Sequence, residues 1–472
     1  MDRIETDLCI IGAGSGGLSL AAGAVQMGAR VVLIEGGEMG GDCLNYGCVP
    51  SKALISAGKR AQAMRSGHRF GVAPVDPQVD FEAAIDHVRS AIETIAPHDS
   101  QERFEGLGVH VIRDWARFTG PDEVVAGDTR IRARRFVVAT GSRPFVPPIA
   151  GLDEVPFLTN ETLFEQRTRP DHLLILGAGP IGLEMAQAHH RLGCEVTVLE
   201  AMSALGTEDP EMAAVVLARL REEGIEIREN CAAEAVQAVD GGIVLETASG
   251  RISGSHLLVA TGRSPNLERL DLESAGVEYT RRGVTVDDAL RSSNRRIYAI
   301  GDAAAGQMNF THVAGYHAGV LARSLLFGLP AKAQDAHIPR AIYTDPELAQ
   351  VGLTEAQAQA RYGARLEVVR FAYAESDRAI AEGATEGLIK VMIHRGRPVG
   401  VSIAGAQAGE MIAPWALMIA NGLKMKAMAN TVLPYPTLAE IGKRAAGAYF
   451  SPQLFGSETV KRLVRFVQRR IP

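Results

Sequence analysis

An α/β chain of two repeated doubly wound halves followed by a third, α+β domain is what this sequence predicts, on three observations. A strand, glycine loop, helix and second strand occur in that order twice, over residues 6–35 and 172–200. An apolar strand running into Ala-Thr-Gly also occurs twice, in segments ending at Pro144 and Asn266. From about Pro339 the glycine loops stop and alternating apolar segments take over. The 472 residues suit about three domains, each able to bury a core.

The two repeats are TDLCIIGAGSGGLSLAAGAVQMGARVVLIE and HLLILGAGPIGLEMAQAHHRLGCEVTVLE, and the interval from Gly12 to Glu35 equals that from Gly177 to Glu200, 23 residues. A glycine-rich turn alone says little. Set between a strand and a helix and closed by an acid at this distance, GxGxxG points to dinucleotide binding of the Rossmann type. Gly12 and Gly177 allow the tight turn, Gly14 and Gly179 let backbone approach a pyrophosphate, and Gly17 and Gly182 let helix pack on strand. Ser15 and Gly16 in one loop, and Pro180 and Ile181 in the other, open the helices whose N–H groups hold the phosphates. Glu35 and Glu200 accept from an adenosine ribose, so two cofactor sites are implied.

RRIYAIGDAAA supplies one more strand, ending in Gly301 and Asp302, after the second repeat. The first domain is therefore expected to be discontinuous, over 1–148 and 265–335, with the second over 149–264 and the third over 336–472. In the third, RLEVVRFAYAE alternates, GLIKVMIH and PVGVSIAG flank His-Arg-Gly-Arg as a hairpin, and EMIAPWALMIANGL reads as a helix over that sheet. With no phosphate loop, this domain is the candidate for subunit association.

A formal net charge of −6 gives no general attraction for nucleic acid. No charged-then-apolar leader precedes the first strand and no run of about 18 apolar residues follows, so a cytoplasmic protein is expected. In that compartment a close cysteine pair reads as redox-active or metal-binding sooner than as structural.

That pair is Cys43 and Cys48 in GGDCLNYGCVPSKALI. In a regular helix their Cα atoms would lie roughly 8 to 9 Å apart, beyond the ~7 Å reach of a disulfide. The turn must be irregular, and Gly47 offers the freedom for it. Pro50 suits the first turn of a helix carrying Ser51 to Ala57, which puts Cys48 at the positive helix end and favours its thiolate. Zinc needs two further ligands, and Cys9, Cys194 and Cys231 are separate singletons. Redox pairing leads, with zinc and chance spacing as the alternatives, and no metal site is assigned.

With these motifs in place the chain resembles, over essentially its whole length, the pyridine nucleotide-disulfide oxidoreductases, the group of lipoamide dehydrogenase, glutathione reductase and mercuric reductase. GGDCLNYGCVPSK is the most specific match. The resemblance implies FAD in the first fold and a nicotinamide cofactor in the second, around Gly262 as well as the glycine loop. It makes Cys48 the thiol beside the flavin and Cys43 the interchange thiol, and it pairs Lys52 with Glu184 near the flavin. It further implies Asp302 on the ribityl chain, Gly41, Asp42 and Thr140 about the FAD, backbone at Ala116 and Gly141 at its adenosine end, and His312 near its ring.

NADP carries a 2′-phosphate where Glu200 would accept a hydroxyl, and AMSALGTEDP, which follows, has no Arg or Lys, so NAD is favoured over NADP. Relatives of the lipoamide and glutathione branches carry His-Pro-Thr and a downstream Glu that reach the partner subunit's site in a homodimer. Here LPYPTLAE puts Tyr435 at the histidine position and keeps Glu440. A phenol with a pKa of about 10 is a poor base at neutral pH, which weakens dithiol–disulfide exchange. Mercuric reductases resemble this chain in that tyrosine but carry a C-terminal cysteine pair, and no cysteine follows Cys231. The resulting expectation is electron flow from NADH through FAD and the Cys43–Cys48 disulfide to a disulfide, thiol or soft-metal acceptor. A dihydrolipoamide dehydrogenase is the first alternative, and a flavin-holding interaction protein the second.

His312 and His317 are read as packing or flavin-contact residues, and His189 and His190 as outer positions of their helix. Asp42 stands where relatives commonly have Thr, and the sequence names no donor to offset its charge. The basic tail SETVKRLVRFVQRRIP is expected to pack on its own domain, with peripheral membrane contact or a partner protein less favoured.

Overall fold

The computed structural model describes residues 2–471 and groups them into two compact units. One holds the chain up to Ser203 together with Ile225–Asp335; the other holds Ala204–Gly224 and the chain from Ala336 on.

In the first unit the strands Asp2–Ile11, Val31–Ile34, His110–Ile112 and Thr129–Val138 run parallel, with the helix Ser15–Gln26 between the first two. Val31–Ile34 is buried throughout and the inner half of Asp2–Ile11 nearly so, as parallel strands covered on both faces require. Ile297–Ala299 pairs in parallel with Thr129–Val138, so a strand from beyond the second repeat completes the first repeat's sheet. The second repeat forms its own parallel sheet in the order Glu226–Arg228, Glu195–Leu199, His172–Leu176, His256–Val259. The two Ala-Thr-Gly segments meet directly, because Ser142–Pro144 pairs antiparallel with Arg263–Pro265.

The second unit is built on five antiparallel strands in the order Pro339–Ile342, Glu347–Gly352, Arg397–Gly405, Leu388–His394, Leu366–Ala372. The last strand pair in sequence, Leu388–His394 and Arg397–Gly405, is the hairpin around His-Arg-Gly-Arg. EMIAPWALMIANGL forms two helices instead of one, Ala408–Met411 and Ala413–Ala420, because Pro414 has no N–H to continue the first and suits the opening turn of the second. The helix Pro210–Glu222 also belongs here. Lys390, 2% exposed, meets Asp209 at 2.8 Å, Glu211 at 2.6 Å and Glu355 at 2.8 Å. An ammonium buried this deeply persists only when paired, so this cluster ties that helix to the sheet.

Three expectations are corrected. His189 is not an outer residue: it is buried under the helices Cys48–Arg65 and Phe81–Ile95, its Nδ1 bonds the Met185 carbonyl at 2.8 Å, and burial pushes its pKa down to about 4. His190, beside it, is half-buried. The tail helix Glu458–Arg470 does not sink into its unit, for none of its residues is buried.

Candidate functional site

Two helices meet at the cysteine turn. Gly41–Asn45 ends before Tyr46, and Cys48–Arg65 begins at Cys48, so Cys48 sits in the first turn, where unpaired N–H groups favour a negative sulfur. Gly47 is needed for space and not for a left-handed φ: its φ is −124°, but a Cβ there would stand 2.8 Å from Asp42 Oδ2.

Cys43 and Cys48 are free thiols that hydrogen-bond to each other. The Cys43 thiol donates to Cys48, the Thr311 hydroxyl lies 3.1 Å from Cys48 Sγ, and the Lys52 ammonium adds a positive field; against burial, these hold Cys48 down to about 6. Cys43 is driven up by the same bond, by burial and by the Cys48 charge. The pair shares one proton, which stays on Cys43. Lys52 Nζ donates to Glu184 Oε2 at 2.7 Å, and Glu184 is buried. Sequence reasoning missed Thr311; its signal was position, one residue before His312 at the start of the helix Thr311–Phe327. Thr311→Val is expected to raise the Cys48 midpoint by about one unit, the worth of one hydrogen bond to a charged sulfur. Thiolate would then disappear at a higher pH as pH falls. A pH titration of thiolate absorbance checks this, and an unchanged midpoint removes Thr311 from the account.

The two glycine loops are built alike. Gly12 has φ 110° and a Cβ there would sit 2.4 Å from Ala139 O; for Gly177 the values are 103° and 2.5 Å from Ala260 O. A Cβ on Gly17 would come within 1.9 Å of Gly12 O, and on Gly182 within 2.0 Å of Gly177 O. The third glycine therefore serves the turn's own carbonyl as well as the helix packing expected of it. At Gly14 and Gly179 a Cβ would meet nothing within 4 Å. Those open spaces face the N-termini of Ser15–Gln26, with Gly16 and Gly17 buried behind, and of Pro180–Arg191, and they fit a dinucleotide pyrophosphate. Glu35 accepts from the backbone N–H of Ala13 and Gly37, and Glu200 from those of Ala178 and Met202, so each acid braces its own loop. A cavity of about 510 Å³ beside the second loop is lined by Gly177, Gly179, Pro180, Ile181, Glu200 and Gly262, and no Lys or Arg lines it.

Gly41 lies against Gly14, where a Cβ would be 2.8 Å from Gly14 Cα, which sets the cysteine turn beside the first loop. The offset for Asp42 is now visible: its Oδ1 meets Arg263 Nη2 at 2.9 Å and Asn160 Nδ2 at 3.0 Å. Arg263 also donates to the Ser142 hydroxyl at 2.7 Å and carbonyl at 2.8 Å, while Ser142 donates to the Asp302 carboxylate. Burial raises the Asp302 pKa. Arg263 follows the second Ala-Thr-Gly, and that repeat was the only clue to it. Thr140 Oγ1 donates to the Asn266 carbonyl at 2.7 Å, and Gly141 takes φ 66°. Ala116 is buried at the start of its strand, next to Trp115, whose ring stands against Gly36 under the Arg269 guanidinium at 4.1 Å. The His312 ring stacks on Phe310 at 5.3 Å, and buried His317 accepts from Gly301 N–H at 3.2 Å.

In the second unit Tyr435 is exposed, and its hydroxyl donates to Asp377 Oδ2 at 2.8 Å. That carboxylate raises the phenol's pKa further from neutrality. Glu440 opens the helix Glu440–Phe455. Among the described residues no group of three or more His, Cys, Asp or Glu is placed to hold a metal ion.

Two glycine loops with room for a pyrophosphate and a dithiol with one sulfur poised as thiolate fit an oxidoreductase that works through two dinucleotides and a thiol pair. Residues 6–318 match the family described as pyridine nucleotide-disulphide oxidoreductase, and residues 338–446 match its dimerisation domain. The mercuric reductase of Streptomyces lividans is 36% identical over 94% of this chain and 96% of its own length. The dihydrolipoyl dehydrogenase of Thermus scotoductus is 35% identical over 94% and 97%. Among solved structures, the Cu(II) complex of the HOCl-induced flavoprotein disulfide reductase RclA from Escherichia coli has a TM-score of 0.84 at 27% identity, covering 93% of this chain and 99% of that one. The chain belongs to the pyridine nucleotide-disulphide oxidoreductase family, and as such is an FAD-dependent enzyme.

Proposed function

We propose that the enzyme oxidises NADH in preference to NADPH and reduces an acceptor at the Cys43–Cys48 pair, a thiophilic metal ion suiting the site better than a disulfide. FAD, when bound in the Gly12–Gly17 cradle, supplies the two-electron relay between nicotinamide and thiols. The observation that carries the choice of acceptor is the Tyr435–Asp377 bond, which leaves the residue at the base position holding its proton.

Cys43 carries the pair's proton. To attack a disulfide it must first lose that proton, and Tyr435, contributed by the other subunit with Glu440, is no base for it. A thiophilic cation needs no base, since a coordinating thiol is deprotonated by the metal itself. Overall one NADH supplies the two electrons that take a divalent ion to the metal, with release of NAD⁺ and a proton. The mercuric reductases among the similar proteins support this chemistry, and the Cu(II) complex of RclA supports binding of such an ion by an enzyme of this kind. Lys52 with Glu184 keeps a positive charge fixed beside the thiolate, and Asp302, held by Ser142 and 3.9 Å from Arg263, is the residue assigned to the ribityl chain.

For the nicotinamide, a 2′-phosphate about 4 Å from the Glu200 carboxylate would meet roughly 4 kcal/mol of repulsion at an effective dielectric near 20. Glu200→Arg is expected to move the NADPH-to-NADH ratio of kcat/KM toward NADPH by about 100-fold or more. Steady-state assays with both nucleotides check it, and wild type using NADPH as well as NADH would refute the preference. The acceptor is tested by assaying holoenzyme with mercuric ion, cupric ion, lipoamide and glutathione disulfide. Metal-ion turnover above disulfide turnover is expected. Fast lipoamide turnover in either direction, with none on metal ions, would make the enzyme a dihydrolipoamide dehydrogenase instead.

A further inference from the structure

The chain beyond residue 446 lies outside the matched dimerisation domain, and it ends in the helix Glu458–Arg470, ETVKRLVRFVQRR. At about 100° per residue, Val460, Leu463, Val464 and Val467 fall within one arc about 100° wide. Lys461, Arg462, Arg465 and Arg469 fall within an arc of similar width on the opposite side. Phe466 and Arg470 stand on the border between them, the guanidinium over the ring at 5.6 Å. Leu463 is 61% exposed, Phe466 59% and Ile471 64%, and Phe455 just before the helix is 74% exposed. Ser457 caps the helix at Val460 N–H, and Lys461 pairs with Glu458 at 2.9 Å, the helix's one acidic residue.

We propose that this helix docks the enzyme on an anionic lipid bilayer. An apolar arc backed by cations, with an aromatic residue at the border, is the arrangement that lies in the plane of an interface, burying the arc among acyl chains and leaving the cations among the head groups. Charge complementarity argues for lipid over the other occupants. A second copy of the helix, related by a two-fold axis, would cover the apolar arc but bring the cations no counter-charge, its one acid, Glu458, being paired already with Lys461. Nucleic acid would take the cations and leave the apolar arc in water. Five basic residues on one helix of a chain with formal net charge −6 also make the attraction local, so the rest of the surface stays off the membrane. One helix without a lipid anchor gives reversible, salt-sensitive attachment.

The test is co-sedimentation of the full-length holoenzyme with phosphatidylcholine vesicles, with and without phosphatidylglycerol. Partitioning at least about tenfold stronger onto the anionic vesicles is expected, falling with added salt. Leu463→Asp, and separately Arg462→Glu with Arg465→Glu, should each remove that gain while leaving dimer elution and NADH-dependent turnover in solution unchanged. Three results would overturn the proposal: equal binding to neutral and anionic vesicles or none to either, dissociation of the dimer by Leu463→Asp, which gives the face to a second copy, and retention on nucleic acid without vesicle binding.

Discussion

Cys43→Ser is expected to lower acceptor turnover by about 1,000-fold or more while leaving the Cys48 thiolate in place. A serine hydroxyl can donate to Cys48 Sγ as the Cys43 thiol does, and Thr311 at 3.1 Å and Lys52 are untouched, so the causes that hold Cys48 near 6 largely persist. What the variant loses is the second sulfur, without which an acceptor can be neither attacked nor chelated. Cys48→Ser removes the thiolate itself. Steady-state turnover with mercuric or cupric ion, measured on both variants, separates the two roles. Near-wild-type turnover in Cys43→Ser would mean that electrons leave by another route.

Next in size is a contrast between two glycines three residues apart. Gly17→Ala places a methyl 1.9 Å from the Gly12 carbonyl, a backbone atom that moves only if the loop opens. A penalty of about 3 kcal/mol or more is expected, together with protein that purifies without its yellow colour. Gly14→Ala meets nothing within 4 Å, so the flavin-free protein should melt as the wild type does. Its methyl instead occupies the space offered to a phosphate, and FAD affinity should fall by about 100-fold. The flavin-to-protein absorbance ratio and the Tm of the stripped protein distinguish the two losses. Full FAD retention in Gly14→Ala would show that the cradle is not where the pyrophosphate lies.

The parallel sheets, both glycine loops and the hairpin of the second unit were legible because each is written locally: an apolar run, a glycine at fixed spacing, a turn between alternating segments. The Lys52–Glu184 pair spans 132 residues and came from the family resemblance alone. Arg263 beside Asp42 and Thr311 beside Cys48 were hidden for the same reason: each is brought in from a distant segment by strand pairing or helix packing, and neither residue type announces a site. His189 was misread because a one-sided pattern shows a helix's main core face but not the second surface that the helix Cys48–Arg65 covers. The break in EMIAPWALMIANGL was written in Pro414 and yielded to the stronger apolar periodicity around it. The tail's amphipathic pattern was plain in the sequence, but only the structure shows Leu463 and Val464 on its apolar side exposed, with Val460 and Val467 half-buried.

The most direct test is a pH titration of the long-wavelength absorption that a thiolate gives beside oxidised flavin, in wild-type enzyme given one equivalent of reductant and in the two serine variants. The arrangement at residues 43, 48 and 311 predicts a band that survives Cys43→Ser, is absent in Cys48→Ser, and in wild type fades as the pH drops through about 6. A band that survives only in Cys48→Ser, or that appears only as the pH approaches the ordinary thiol range of about 8 to 9, would contradict it.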